Sequence, residues 1–468
     1  MDLNRIDEDT IAAIATPLGQ GGIGIIRISG PEALPIAQKI FRPDSAAPAL
    51  QSHHLYHGWI LEPSTGERVD EVLLSYMAAP RTYTREDVVE INGHSGYAVL
   101  DRILGLVIQA GARLASPGEF TRRAFLGGRI DLSQAEAVID LIHSRCEKSL
   151  ALATRQLQGE FRDRILQWRE TLLHFQAAME ASMDFSEDLE EEKEENPAFP
   201  IQELESRLII PLQEMVAQYD RGRVLREGFT LVLVGKPNVG KSSLLNALLG
   251  KDRAIVTETP GTTRDVIEDA FVLSGILVRI LDTAGIRHAP DAIESLGIER
   301  TLHSVADADA ALWLLDQSRP LTPEDDTVYE NIASRSHMVL LNKHDLPPVV
   351  TVEEVKRRYP ASTRMLELSA FNPQDIATLR EHLAAHFLKQ PLDSDRSVLL
   401  SNLRHRDCLL QAVESLLRAG ELLTSRGYGE LAAEELRSAR TQLEAILGWG
   451  GSDEELLDRI FSQFCIGK

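Results

Sequence analysis

Gly235-Lys236-Pro237-Asn238-Val239-Gly240-Lys241-Ser242-Ser243 fits G-x-x-x-x-G-K-S, and its two flanks decide how the middle of the chain folds. Ahead of it runs Thr230-Leu231-Val232-Leu233-Val234, the unbroken apolar texture of a parallel strand covered on both faces. Behind it comes Leu244-Leu245-Asn246-Ala247-Leu248, which opens a helix. A glycine-rich loop set between strand and helix can wrap phosphate oxygens with backbone N–H groups, and the helix N-terminus adds a favourable dipole. Lys241 is placed to reach β- and γ-phosphates, and the Ser242 hydroxyl to ligate Mg²⁺. Asn238, Val239, Gly240, Lys241, Ser242 and Ser243 are therefore the expected phosphate ligands.

Three further signals follow at the ends of apolar runs. Val278-Arg279-Ile280-Leu281 leads into Asp282-Thr283-Ala284-Gly285, where the carboxylate can support Mg²⁺ and the glycine N–H can sense a γ-phosphate. Val339-Leu340-Leu341 leads into Asn342-Lys343-His344-Asp345; Asp345 can accept both guanine N1–H and the exocyclic amine, a donor pair that adenine lacks. Leu366-Glu367-Leu368 leads into Ser369-Ala370, where a backbone N–H can meet guanine O6. Between the first two lies Thr257-Glu258-Thr259-Pro260-Gly261-Thr262-Thr263, small and hydroxylated, with Thr263 as the second Mg²⁺ ligand. Each tetrapeptide is weak alone. Their order, each at the carboxyl end of a strand, implies a Ras-like GTPase domain. Ile286 stands where many GTPases carry a water-orienting glutamine, so another group must fill that role.

Outward from this block the texture changes. Thr10 to Phe125 reads as mixed α/β, with strands at 11–16, 23–29, 71–77 and 88–91 and helices at 31–40 and 97–110. From Ser133, whose spacing to Glu136 suggests a capping box, helical periodicity runs on to Phe185. The acidic run Glu190 to Glu195 reads as a solvated loop, and a helix follows over 201–223. After Pro391 helices return over 399–424, 429–447 and 452–464. The expected organisation is an α/β domain over 1–125, a discontinuous α-helical domain over 126–227 and 391–468, and a P-loop G domain inserted over 228–390.

Composition narrows the function class. Lys and Arg number 49 against 71 Asp and Glu, a net charge of −22, which argues against a broad basic face coating nucleic acid. The three cysteines, Cys146, Cys408 and Cys465, are far apart and predict no disulfide framework. No signal stretch and no long apolar run occurs, so a cytoplasmic protein without a membrane span is expected. Gly19-Gln20-Gly21-Gly22-Ile23-Gly24 fits G-x-G-x-x-G, but a strand rather than a helix should follow it, so no dinucleotide site is expected there.

Both flanks carry a resemblance. Thr10-Ile11-Ala12 with Gly21 to Gly30, Pro117 to Phe125, Leu225-Arg226-Glu227-Gly228, Gly261 to Asp265 and the terminal Phe464-Cys465-Ile466-Gly467-Lys468 make the whole chain similar to the MnmE (TrmE) family of tRNA modification GTPases. The resemblance implies a homodimer formed through the N-terminal domain and a flavoprotein partner, MnmG (GidA), in a heterotetramer or larger complex, with FAD on the partner only. It implies addition of an aminomethyl or carboxymethylaminomethyl group to C5 of wobble uridine in certain tRNAs. The carbon would come from a one-carbon tetrahydrofolate, 5-formyl or methylene, at Arg27, Glu90, Arg129 and Lys468. It implies a K⁺ ion held by Asn238, Thr257, Thr259 and Thr262 in place of an arginine finger, and Glu294 as the group that orients water indirectly. Cys465 is a candidate for chemistry, the plainer reading being a small buried residue. The rival functions are a ribosome-assembly or signalling switch without modification chemistry, and a folate-binding scaffold with a vestigial GTPase. The complete set of Lys241, Ser242, Asp282 and Asp345 opposes the second.

Overall fold

The structure is a computed structural model that describes residues 9–19, 21–44, 49–188, 200–250, 269–282, 305–388, 398–424, 429–450 and 454–468. They fall into two units: Met1–Ile142, Thr154–Gln213 and Asp407–Lys468 in one, His143–Ala153 and Glu214–Arg406 in the other.

In the first unit, alternation in Gly24–Ser29 turns Ile26 and Ile28 inward and leaves Ile25 and Arg27 on the opposite face. This strand, β2, belongs to a seven-stranded sheet with β1 (Ile11–Ile14), β3 (Phe41–Pro43), β4 (His54–Leu61), β5 (Arg68–Met77), β6 (Val88–Gly93) and β7 (Arg113–Leu114). The order is β3-β4-β5-β6-β2-β1-β7, antiparallel except for the β1–β7 pair. Helices α1 (Ala33–Ile40) and α2 (Tyr97–Gln109) cover the inner face, where Ile26, Ile28, Ile36, Ile40, Leu74, Ile91 and Ile103 pack together. The register sets Arg27 opposite Glu90 on the other face.

Two short helices follow, α3 (Glu119–Leu126) and α4 (Leu132–His143). Leu132, Ala135 and Ile139 of α4 pack on Leu457, Ile460, Phe461 and Phe464, which anchors the chain's last helix, Glu454–Phe461, in this unit. The α4 cap differs from expectation. The Gln134 N–H donates to Asp131 Oδ1 at 3.0 Å and the Asp131 N–H donates to Gln134 Oε1 at 3.1 Å, a reciprocal box two residues earlier than Ser133 and Glu136. An ionisable carboxylate is the better acceptor at a helix N-terminus, and Ser133 instead donates its hydroxyl to Asp131 at 2.6 Å.

The long helical stretch is also divided, into Leu132–His143, Glu147–Leu157 and Glu160–Asp188. Gly159, at φ +95°, ends the middle piece in a left-handed conformation that breaks the helix while the apolar periodicity continues past it. The helix expected over 201–223 is divided: a helical run with a π-helical turn at Glu205–Ile209 ends at Ala217, and a second helix, Tyr219–Glu227, follows. The acidic run at Glu190–Glu195 lies outside the described residues.

The second unit is built on β8 (Phe229–Val234), every residue of which is buried. Leu231 and Leu233 face one apolar cluster, Val232 and Val234 another, so the sheet is covered on both sides. The strand order is β13-β12-β11-β8-β10-β9, where β9 is Ala270–Leu273, β10 Ile276–Asp282, β11 Ala310–Asp316, β12 His337–Asn342 and β13 Met365–Glu367. Only β9, at one edge, runs antiparallel to its neighbour. The helices that bear on the site are α5 (Lys241–Leu249), α6 (Pro323–Ile332) and α7 (Pro373–Phe387). No helix of the described residues is long and apolar enough to cross a membrane.

Candidate functional site

Where β8 ends, the chain turns through residues 235–240 into α5. Asn238 sits at φ +64° and Gly240 at φ +104°. A Cβ on Gly240 would fall 2.2 Å from Asn342 Nδ2, so a bare backbone is required there. Asn342 is buried, and its side chain holds three loops together. Its amide nitrogen donates to the Val239 carbonyl at 2.8 Å, and its oxygen accepts from the Ala370 N–H at 3.1 Å. The three motifs read at separate strand ends thus become one structure. Lys241 Nζ donates to the carbonyls of Gly235 (2.7 Å) and Lys236 (2.9 Å), which places its charge over the loop.

Lys343 also has positive φ, +69°, and its ammonium donates to Asp316 Oδ2 at 2.6 Å. Burial would raise the Asp316 carboxyl, but hydrogen bonds from Lys343 and Ser318 prevail and hold it below the usual carboxylate range. Asp345, two residues on, is exposed and lines the cavity. The cavity measures about 1080 Å³ and is bounded by the 235–243 loop, Asn342, Lys343, Ser369, Ala370 and Phe371, with Val328 and Asn331 of α6 on another side. Its size admits a nucleoside triphosphate.

One expectation is modified. The Ser369 N–H donates to Asp375 Oδ2 at 2.7 Å and the Ala370 N–H to Asn342, so neither amide stands free for guanine O6. A purine carbonyl there would share the Ala370 proton with Asn342. Thr257, Glu258, Thr259, Pro260, Gly261, Thr262, Thr263, Thr283, Ala284, Gly285, Ile286 and Glu294 lie outside the described residues; Asp282 closes β10.

Sequence reasoning missed the second tether of the loop. Lys236 Nζ binds Asp325 Oδ2 at 2.7 Å and Thr322 Oγ1 at 2.9 Å, which fastens the loop to the capping box of α6. Thr322-Pro323-Glu324-Asp325, with proline at the first helical position, was the available signal.

A second cluster forms in the first unit. Arg27 Nε donates to Glu90 Oε1 at 2.8 Å, and Arg27 Nη1 to the Gly467 carbonyl at 3.1 Å. The guanidinium lies 5.7 Å from the centre of the Phe120 ring, and the Phe120 N–H donates to the Lys468 carbonyl at 3.2 Å. The tail is held close. A Cβ on Gly467 (φ +94°) would stand 2.5 Å from the Ile14 carbonyl of β1. Arg27, Glu90 and the chain's last residues are thus brought together. Arg129 is set over Tyr83, 4.8 Å from the ring centre, and donates to the Tyr83 carbonyl at 3.1 Å. Burial raises the Tyr83 hydroxyl above its ordinary range, against its bond to Thr121 and the positive charges of Arg129 and Arg27. Cys465 is exposed, contrary to its plainer reading, and it lies past the end of the last helix, Glu454–Phe461.

Residues 132–465 match the family model described as the MnmE helical domain, and residues 10–129 that described as the GTP-binding protein TrmE N-terminus. The tRNA modification GTPase MnmE of Syntrophobacter fumaroxidans is 56% identical over 463 residues, covering 98% of each chain. The MnmE of Carboxydothermus hydrogenoformans is 45% identical over 463 residues, 98% of this chain and all of its own.

Proposed function

This chain belongs to the MnmE family of tRNA modification GTPases, and from that premise we propose how its two clusters divide the work. GTP is bound and hydrolysed in the second unit, with potassium as a required ion. The first unit holds a one-carbon tetrahydrofolate and pairs with a second copy of the chain. With the flavoprotein MnmG, which carries FAD, the assembly adds an aminomethyl or carboxymethylaminomethyl group to C5 of wobble uridine in certain tRNAs, in the cytoplasm.

The observation that carries the nucleotide half is Asn342, whose one buried amide joins the phosphate loop to the purine-facing loops around the cavity. The loop amides from Asn238 to Ser243 wrap the phosphates, Lys241 supplies charge, Ser242 and Thr263 hold Mg²⁺, and Asp345 reads guanine. Asp345→Asn should weaken GTP binding by about 1–3 kcal/mol and shift preference toward xanthine nucleotides, because an amide offers a donor where the carboxylate accepts two. Competition binding with GDP and XDP measures this; unchanged GDP affinity removes Asp345 from the site.

For the folate half, the donor set supports the reading. A carboxylate such as Glu90 can accept the paired N–H groups of a 2-amino-4-oxopyrimidine ring, and Arg27 and Arg129 add charge for anionic groups. A bound tetrahydrofolate supplies the carbon unit; the chain's part is to hold it. Deleting Ile466–Lys468 removes the carbonyl on Arg27 and the acceptor of the Phe120 N–H. Folate affinity should fall about tenfold or more, in line with loss of a hydrogen bond to a charged group. GTP hydrolysis should stay near its full rate. Calorimetry with unaltered folate affinity would refute the placement. The whole reading is tested by mass spectrometry of wobble uridine in cells lacking this chain, where normal modification would contradict it.

A further inference from the structure

The loop at 78–87, between β5 and β6, carries a feature that neither site uses. Arg85 sits at φ +64°, a left-handed conformation that glycine adopts freely and a residue with a Cβ does not. The loop is held firmly all the same. The Thr82 hydroxyl donates to the Glu86 carbonyl at 2.6 Å, and the Thr84 and Ser29 hydroxyls lie 2.7 Å apart. The exposed Arg85 side chain passes the turn at Gly127 and Gly128, where a Cβ on Gly128 would stand 4.0 Å from Arg85 Nη1. Arg129 follows that turn and is set over Tyr83. The Tyr83 and Thr121 hydroxyls are 3.0 Å apart, and Thr121 adjoins Phe120, whose ring lies against the Arg27 guanidinium. The loop therefore borders the cluster of Arg27 and Glu90.

Arg81 and Arg85 are both exposed, and among the described residues neither guanidinium meets a carboxylate. The loop's own acids are engaged elsewhere. Glu86 takes Arg123 at 3.0 Å and the Ser29 hydroxyl at 2.7 Å. Asp87 takes the Tyr76 hydroxyl at 3.2 Å and the Ala79 N–H at 2.8 Å. In a chain of net charge −22, two arginines stand without acidic partners, one of them against backbone preference. That combination marks a place for an anion from outside.

We propose that Arg81 and Arg85 bind the phosphodiester backbone of the substrate tRNA; this rests on the reading that places the one-carbon carrier at Arg27 and Glu90. The uridine that receives the carbon must reach the carrier, and its sugar-phosphate chain comes with it. The acidic chain repels a polyanion at long range, so contact requires cations that are not neutralised locally. Guanidinium forks suit phosphate oxygens, and such contacts position the RNA without reading its sequence.

The test is fluorescence anisotropy of labelled tRNA with an unmodified wobble uridine, titrated with the full chain over a range of salt concentrations. Calorimetry runs in parallel with 5-formyltetrahydrofolate as the monoglutamate and as the triglutamate. Arg81→Ala combined with Arg85→Ala should weaken tRNA binding about tenfold at low salt. The slope of log affinity against log salt should fall by about 1.4–1.8, the share of two phosphates, while both folates bind as in wild type. Arg85→Gly guards against a folding artefact, because glycine holds φ +64° without strain. It should unfold at a higher temperature than Arg85→Ala and lose tRNA affinity to the same extent. Unchanged tRNA affinity and slope in the double variant overturn the proposal. So does a loss confined to the triglutamate, which would assign the arginines to the carrier's γ-linked tail. Reduced self-association at unchanged tRNA affinity also overturns it, by assigning them to a second copy of the chain. A wild-type chain that fails to bind 5-formyltetrahydrofolate overturns the folate reading itself, and that outcome is distinct because it involves no variant.

Discussion

In potassium chloride the full chain should hydrolyse GTP on the order of 10³-fold faster than in sodium chloride of equal ionic strength, near the lower end of what a transition-state cation supplies in GTPases. The expectation starts from a gap. Ile286 cannot orient water or offset charge, and its position follows Asp282-Thr283-Ala284-Gly285 directly. Asn238 is exposed at the crest of the phosphate loop with φ +64°, a conformation asparagine tolerates better than most residues. Its neutral amide oxygen suits a large monovalent cation; a set of such oxygens spaced for potassium would be too wide for sodium. Asn238→Ala should therefore erase the difference between the salts while GTP binding falls only modestly, since Lys241 and the loop amides remain. Glu294→Ala should slow turnover in both salts. If isolated G domains are assayed, the rate per chain should rise with protein concentration, should hydrolysis depend on pairing of the G domains. If the full chain pairs through its first unit as proposed, it should respond less, because its copies would already be at high effective concentration. Equal rates in potassium and sodium would show that another group fills the gap left by Ile286.

The loops that line the cavity were legible because the motifs fix residue type at the ends of strands. Gly240 could be read as obligatory from its pattern alone, and the structure gives the cause in Asn342 Nδ2. Asn342 was assigned to the ligand, yet its main visible task is to join loops, a role that pattern cannot show since Val239 and Ala370 are 103 and 28 residues away. In the first unit the central strands β2, β5 and β6 were legible from alternation, whereas β3, β4 and β7 were not. β3 and β7 are very short edge strands, and in β4 two histidines and a glycine interrupt the apolar signal. Arg27 lies in a strand with no partner near it in the sequence. Only the sheet register and the returning tail give it a carboxylate, a carbonyl and an aromatic ring at once.

Arg123→Ala should destabilise the first unit by about 3–5 kcal/mol, the range for removing one partner from a buried ionic cluster. Arg123 is 4% exposed and meets Asp9 Oδ1 at 2.6 Å, Glu86 Oε1 at 3.0 Å and Glu119 Oε1 at 3.0 Å. Glu119 is shared with Arg113 at 2.6 Å, and the Ser29 hydroxyl donates to Glu86 at 2.7 Å. The cluster joins residues in or beside β1, β2, β6 and β7 to α3, so its loss should loosen the edge of the sheet that carries the tail. Without Arg123, Asp9 and Glu119 keep Arg113, but Glu86 keeps only a hydroxyl. Its charge is then stranded at 12% exposure, and Glu86→Gln added to Arg123→Ala should recover part of the loss. The acid limb has the same origin. Burial would raise the Asp9 and Glu119 carboxyls, but bonds to Arg123 and Arg113 hold both below their usual range. Depressed native values mean that this stabilisation is complete above the unfolded values, about 4, and is lost as pH falls below them. Hydrogen exchange in peptides covering β1, β2 and β7 reads the effect locally, without assuming that the two units unfold together. Arg123→Ala should speed exchange there at neutral pH, and lowering the pH below about 4 should do less to the variant than to the wild type, because part of the linked stabilisation is already gone. Exchange in these strands that is unchanged by Arg123→Ala would show that the apolar core around Ile11, Ala13 and Phe120 holds this edge without the ionic cluster.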